Sequence, residues 1–149
     1  MQRLNLPDYS AVLRINKANN TIFDIVRKKH IKLTPEEWVR QNFIMFMITE
    51  HNYPAGLINV EMGLTLNNLT RRCDIVSFDK TGKPKVIVEC KAPSVKITQK
   101  TFDQIAAYNL ELDVDYLIVT NGLAHYCCKI NRKENSYDFI EDVPDFNNI

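Results

Sequence analysis

Residues 71–94, RRCDIVSFDKTGKPKVIVECKAPS, place two apolar runs on either side of one turn signal. Asp79-Lys80-Thr81-Gly82-Lys83-Pro84 supplies the Asp, Gly and Pro that turns favour, while Cys73–Phe78 and Lys85–Lys91 carry the β-branched residues of strands. A hairpin pairing Phe78 with Lys85 puts Val76 opposite Ile87 and Asp74 opposite Glu89. Residues directly opposite in an antiparallel pair share a face, and Lys91, two positions past Glu89, shares it too. The spacing predicts two carboxylates and one ammonium at one end of an otherwise apolar hairpin. Charges in such a place need partners.

Two carboxylates a few ångströms apart repel, and they either share a proton or bind a cation. Hard oxygen ligands suit Mg2+, with the Cys90 carbonyl as a further candidate oxygen beside Asp74 and Glu89. A neighbouring lysine can stabilise negative charge developing on phosphorus and help position an attacking water. A structural Asp–Lys or Glu–Lys pair at the rim of a sheet explains the same spacing and stays open at this point.

The flanking sequence supplies the rest of a mixed sheet. Residues 12–33 read as a β-hairpin, Val12 to Asn16 and Thr21 to Val26, around Lys17-Ala18-Asn19-Asn20. Thr34-Pro35-Glu36-Glu37 is a helix start, with Thr as N-cap and Pro at the first helical position. That helix should run to about His51, where Asn52-Tyr53-Pro54 breaks it, with Val39, Phe43, Phe46 and Met47 on its apolar side. Leu57–Leu66 reads as a strand, Thr98–Leu110 as a second helix, and Tyr116–Thr120 and Leu123–Ile130 as strands separated by Asn121-Gly122. Tyr137–Ile140 fits a short edge strand. Hairpin, helix, three strands, helix, then two or three strands predicts an α/β (α+β) fold, a mixed sheet flanked by helices. One domain over residues 1–149 is expected: a hairpin extension at 12–33, a core at 34–130 and an acidic segment at 131–149.

Composition fits this. The 149 residues are 45% hydrophobic and 25% charged, ordinary for a globular domain, with no apolar run near the roughly 20 residues a membrane helix needs. All 19 Lys and Arg and 13 of the 18 acids lie at or before Lys133, which leaves that part at +6. Basic clusters stand at Arg27-Lys28-Lys29, Arg71-Arg72, and Lys80, Lys83 and Lys85. Cys73, Cys90, Cys127 and Cys128 form no CxxC pair, so reduced thiols in a cytoplasmic protein are expected. His30, His51 and His125 are scattered, Trp38 reads as core or an interface anchor, and periodicity does not decide which way Glu61 faces.

Asp74 followed by Glu89-Cys90-Lys91 across a hairpin resembles the PD-(D/E)XK nuclease signature, and Gln104-Ile105-Ala106-Ala107-Tyr108 adds a Q-x-x-x-Y motif on the next helix. Together with TPEEWVRQ (34–41), RRCDIVSFD (71–79), VIVECKAPS (86–94), FDQIAAYN (102–109) and YLIVTNG (116–122), these residues resemble the N-terminal nuclease domain of type I restriction enzyme R subunits, HsdR, from about Thr34 to Cys128. The resemblance implies a restriction-endonuclease-like core and cleavage of DNA phosphodiesters with Mg2+, or Mn2+ in its place. It also implies Asp74, Glu89 and Lys91 as the catalytic set, with Gln104 and Tyr108 contacting DNA or supporting the site. The family's first helix brings a further acid. Glu36 and Glu37 compete for that role, and helical spacing favours Glu36, on the face of Val39, Phe43 and Met47. DNA is the implied partner, with restriction-modification or motor subunits beside it and a homodimer as one admissible assembly. No G-x-x-x-x-G-K-[ST] occurs, so no ATP site is expected here and translocation would need another chain. The rival reading is a nuclease-fold module that holds DNA or a protein partner without cutting.

Overall fold

The computed structural model describes residues 1–149. Its N-terminal part is a three-stranded antiparallel sheet, β1 (Ile15–Asn16), β2 (Thr21–Asp24) and β3 (Lys29–Lys32), and not the single hairpin expected from the alternation. The second strand stops at Asp24 because its carboxylate accepts the N–H groups of Val26 and Arg27, at 2.8 and 2.9 Å, and turns the chain. Lys28 completes that turn at φ 54°, and the chain returns as β3.

Helix α1 (Pro35–Glu50) starts where the capping signal puts it, with the Thr34 hydroxyl accepting the Glu37 N–H at 3.0 Å. It ends at His51, followed by Asn52 at φ 61°. From Glu37 to Ile44 it is buried on every side, Arg40, Gln41 and Asn42 included, because the small sheet and the main sheet enclose it.

The main sheet holds β4 (Ile58–Leu66), β5 (Leu69–Phe78), β6 (Pro84–Cys90), β7 (Tyr116–Thr120), β8 (His125–Asn131) and β9 (Ser136–Ile140), side by side in chain order. Only β6 and β7 run parallel, and α2 (Gln99–Asn109) lies in the crossover between them. Val76 pairs with Ile87 as the sequence predicts, but Phe78 pairs with Pro84 and not Lys85, through a register shift beside the turn. Asp79 causes it, gathering Thr81 N–H, Thr81 Oγ1 and Lys83 N–H onto one carboxylate oxygen. The strand expected from Leu123 begins only at His125, since Asn121 Oδ1 accepts the N–H groups of Leu123 and Ala124.

Each face of the sheet is covered. Val39, Phe43, Ile44 and Met47 of α1 pack on Ile75, Val86, Val88 and Ile118, while Phe102 and Ala106 of α2 pack on Val76, Ile87, Leu117 and Val119. Segment 131–149 closes the α1 side, with Val143 and Phe146 buried there and Tyr53 donating to the Pro144 carbonyl at 2.6 Å.

Candidate functional site

The site forms where β4 and β5 both lose their alternation. Val60 and its partner Ile75 pack on the α1 side, whereas Met62 and its partner Cys73 pack on the α2 side. Residues two apart should share a face. The two strands therefore turn over together at Glu61 and Asp74, and Glu61 takes φ 53° to do so. A non-glycine residue in the left-handed region carries local strain, a feature that clusters at functional sites.

Asp74 stands at this switch. Its Oδ2 accepts the Cys90 N–H at 2.7 Å, and the pairing of Val76 with Ile87 carries Glu89 alongside it. Burial, and then the Asp74 charge, push the Glu89 carboxyl up to about 8. Near neutral pH such a pair keeps a proton unless a cation neutralises it. Lys91 follows one residue past β6, tied to β7 by its N–H to the Thr120 carbonyl at 2.8 Å. Its ammonium lowers the proton affinity of Glu89 and Glu36 from nearby and forms no ion pair within 4.0 Å.

The helix acids separate. Glu36 is half-exposed and faces the pair: partial burial and then the Asp74 charge raise its pKa, with Arg40 and Lys91 opposing. Glu37 is buried and spoken for, 3.1 Å from Arg27, 3.1 Å from the Gln41 amide and 3.4 Å from Arg40. The Glu37 carboxylate turns to these groups, so only the Thr34 half of a capping box forms.

Sequence reasoning missed a charged network behind the pair. The Arg40 guanidinium lies 3.8 Å from Asp74, 3.1 Å from Glu61 and 3.9 Å from Glu36. Glu61 also holds Arg72 at 2.9 Å and Arg27 at 3.5 Å. The available signal was an arginine inside an apolar helical run, three and four residues after two glutamates. Gln104 and Tyr108 lie exposed on α2 and neither hydrogen-bonds to Asp74 or Glu89. Tyr108 is instead tied to β5: the Arg71 guanidinium covers its ring at 4.2 Å and donates to its carbonyl at 3.1 Å.

Asp74 and Glu89, with no third His, Cys, Asp or Glu completing a ligand group, make a sparse set of oxygen donors. An ion such as Mg2+ would have to draw its remaining ligands from water or substrate phosphate. The Cys90 thiol is buried and its pKa is raised, first by burial, so only its carbonyl is a candidate donor. No helix is long and apolar enough to cross a membrane.

Comparison with known proteins agrees with this architecture. No curated protein matches the chain. Among solved structures, a fragment named as an HsdR subunit of a type I restriction enzyme from Vibrio vulnificus YJ016 superposes with a TM-score of 0.55 at 16% identity. The match covers 78% of this chain and 24% of that one, so this chain spans about a quarter of its relative's length. A family described as type I restriction enzyme R protein N terminus (HSDR_N) matches residues 35–144, which take in α1, the Asp74–Glu89 pair, α2 and the whole main sheet. The chain belongs to this family of type I restriction enzyme R protein N termini.

Proposed function

We propose that the chain is a Mg2+-dependent endodeoxyribonuclease domain of the PD-(D/E)XK type, acting on DNA in a restriction-modification setting. The observation that carries this reading is the β5–β6 register, which sets Asp74, bonded to the Cys90 N–H at 2.7 Å, beside Glu89 with Lys91 two residues further on; burial and the Asp74 charge raising Glu89 agree with it. The structural alternative, an Asp–Lys or Glu–Lys rim pair, has no ion pair from Lys91 behind it, the cation beside Asp74 being Arg40 at 3.8 Å.

In this reading Asp74, Glu89 and the Cys90 carbonyl would hold the ion, which when bound would neutralise phosphate charge and make a bound water more acidic. The Cys90 N–H and the Arg40 guanidinium hold the Asp74 carboxylate in place. Lys91, free of any ion pair, is available to charge developing on the phosphate. Glu36 offers an accessible carboxyl at the same end, able to hold a water or a proton. Gln104 and Tyr108, exposed on α2, would meet DNA instead of supporting the carboxylates. Four buried free cysteines support a cytoplasmic setting. Residues 1–149 contain no G-x-x-x-x-G-K-[ST] motif, so any ATP-driven movement along DNA would come from outside them.

A non-cleaving module on the same fold has one observation in its favour, the absence of a third ligand residue beside the pair. Nicking of supercoiled plasmid with Mg2+ or Mn2+ separates the two. Cutting that Glu89→Gln abolishes supports the nuclease. Wild-type protein that binds DNA in Ca2+ yet never cuts, alone or with motor subunits, establishes the module.

A further inference from the structure

The small N-terminal sheet lies outside the residues the family match covers, and its charge sets it apart. Residues 14–33 hold six Lys and Arg against Asp24 alone, a formal charge of +5, in a chain whose total is +1. The remainder of the chain therefore sums to −4. Arg27 is neutralised by Asp24, Glu37 and Glu61. The other five cations, Arg14, Lys17, Lys28, Lys29 and Lys32, are all exposed and none forms an ion pair.

The strand register gives this charge a face. Ile15, Ile22 and Ile31 are cross-strand neighbours that pack inward on the α1 core. Thr21 with Lys32 and Phe23 with His30 form the outward pairs. Arg14 lies over the Phe23 ring at 4.2 Å, and His30 meets the other ring edge-on at a centroid distance of 5.3 Å. A stacked guanidinium is already ordered, so it loses little freedom when it meets a phosphate.

The same sheet is fixed to the candidate site. Arg27, in the β2–β3 turn, bonds Asp24 at its own end and reaches Glu37 and Glu61 beside Arg40. Lys28 and Lys29 follow Arg27 directly, so the basic surface begins one residue from a side chain that shares Glu61 with Arg40, and Arg40 in turn lies 3.8 Å from Asp74.

We infer that the outward face of this three-stranded sheet, with the Lys28-Lys29 turn, binds the phosphate backbone of duplex DNA and holds the duplex against the Asp74–Glu89 end. The inference rests on the reading that this fold acts on DNA. Such contacts position a duplex without reading its sequence.

Each phosphate neutralised contributes about 0.9 to the slope of log affinity against log salt. The test is binding of a short labelled duplex in Ca2+ across a NaCl series, beside plasmid nicking in Mg2+. Lys28→Ala/Lys29→Ala should weaken binding and lower the slope by about 1 per lysine removed. Adding Lys17→Ala and Lys32→Ala should lower it further, with the melting temperature unchanged because all four side chains are exposed. A control, Lys80→Ala/Lys133→Ala, removes exposed charge elsewhere and should keep the wild-type slope. Equal slopes for the two double variants overturn the inference, and leave the nuclease reading standing if the wild type still cuts. Loss of slope in Lys28→Ala/Lys29→Ala with no cutting by any protein upholds the surface and sinks the catalytic reading. Wild-type protein that binds no duplex, or binds structured RNA more tightly, overturns the assignment to duplex DNA.

Discussion

The Arg40 guanidinium, 5% exposed, lies 3.8 Å from the Asp74 carboxylate with Glu61 at 3.1 Å. Burial opposes its charge, but Glu37, Asp74 and Glu61 outweigh burial and hold its pKa above the ordinary arginine value. This one side chain joins α1, β4 and β5 behind the candidate site. Removing one member of a buried ion network leaves uncompensated charge, at a cost of about 3–5 kcal/mol. Arg40→Met should lose about that much stability in denaturant titration, and Glu37→Gln in the same chain should restore part of it. A loss below about 1 kcal/mol would mean the network is not what holds these elements together.

Glu89→Gln tests the carboxyl pair with the metal absent and present. A folded-state value of about 8 exceeds the ordinary 4.5, so the protonated Glu89 contributes stability below pH 4.5 that is lost as pH rises through about 8. At pH 8 the metal-free Glu89→Gln protein should melt no lower than wild type, because the amide removes the repulsion. Added Mg2+ should raise the melting temperature of the wild type and leave the variant unmoved. Equal Mg2+ shifts in both proteins would take Glu89 out of the ligand set.

Lys91→Ala separates binding from chemistry. Lys91 forms no ion pair, so the variant should fold normally and keep its Mg2+-dependent thermal shift. Nicking should fall at least 100-fold if the ammonium acts only on charge that develops in the transition state. Unchanged nicking would remove Lys91 from the catalytic set.

His125 supplies a pH dependence independent of the site. Its Nε2 lies 2.9 Å from the Asn5 carbonyl and its Nδ1 2.7 Å from the Thr120 hydroxyl. Those partners suit the neutral ring with its proton on Nε2. Burial lowers its pKa below 6.5, against the opposing Asn5 bond. Stability from the neutral ring is therefore present above about pH 6.5 and lost as pH falls through the folded value. Glu89 gains stability over the same range, so the readout is the difference: between pH 7 and pH 5 the melting temperature of His125→Gln should fall less, or rise more, than that of the wild type. Parallel pH profiles would assign the loss to other groups.

Much of the fold was legible because its signals are local. The Thr34 cap, the Asn52-Tyr53-Pro54 stop and the Asp79–Pro84 turn each fix an element within a few residues. Val76 opposite Ile87 follows from such a turn even though Phe78 slips by one position beside it. The environment of Asp74 was not legible. Nothing in the run from Ile58 to Leu66 marks Glu61 for a positive φ, and strict alternation hides a switch that both strands make together. Arg27, Arg40 and Glu61 come from three elements, and only tertiary packing brings them to one point. The third strand of the small sheet was hidden for a related reason: a buried Asp24 that ends β2 with its own side chain reads as one more polar position.

The location of Asp74 and Glu89 on neighbouring strands of one hairpin has a kinetic consequence. A hairpin closes within about 1–10 μs, long before a crossover strand such as β7 or an enclosing helix can dock. While it is still wet, two like charges at about 4 Å repel by only about 1 kcal/mol. The repulsion grows when α1 docks beside that end and thins the water around it. The charge conflict is thus met in the last packing step and not in the first, so divalent cations or a lower pH should speed the late phase of refolding and leave the early one unchanged.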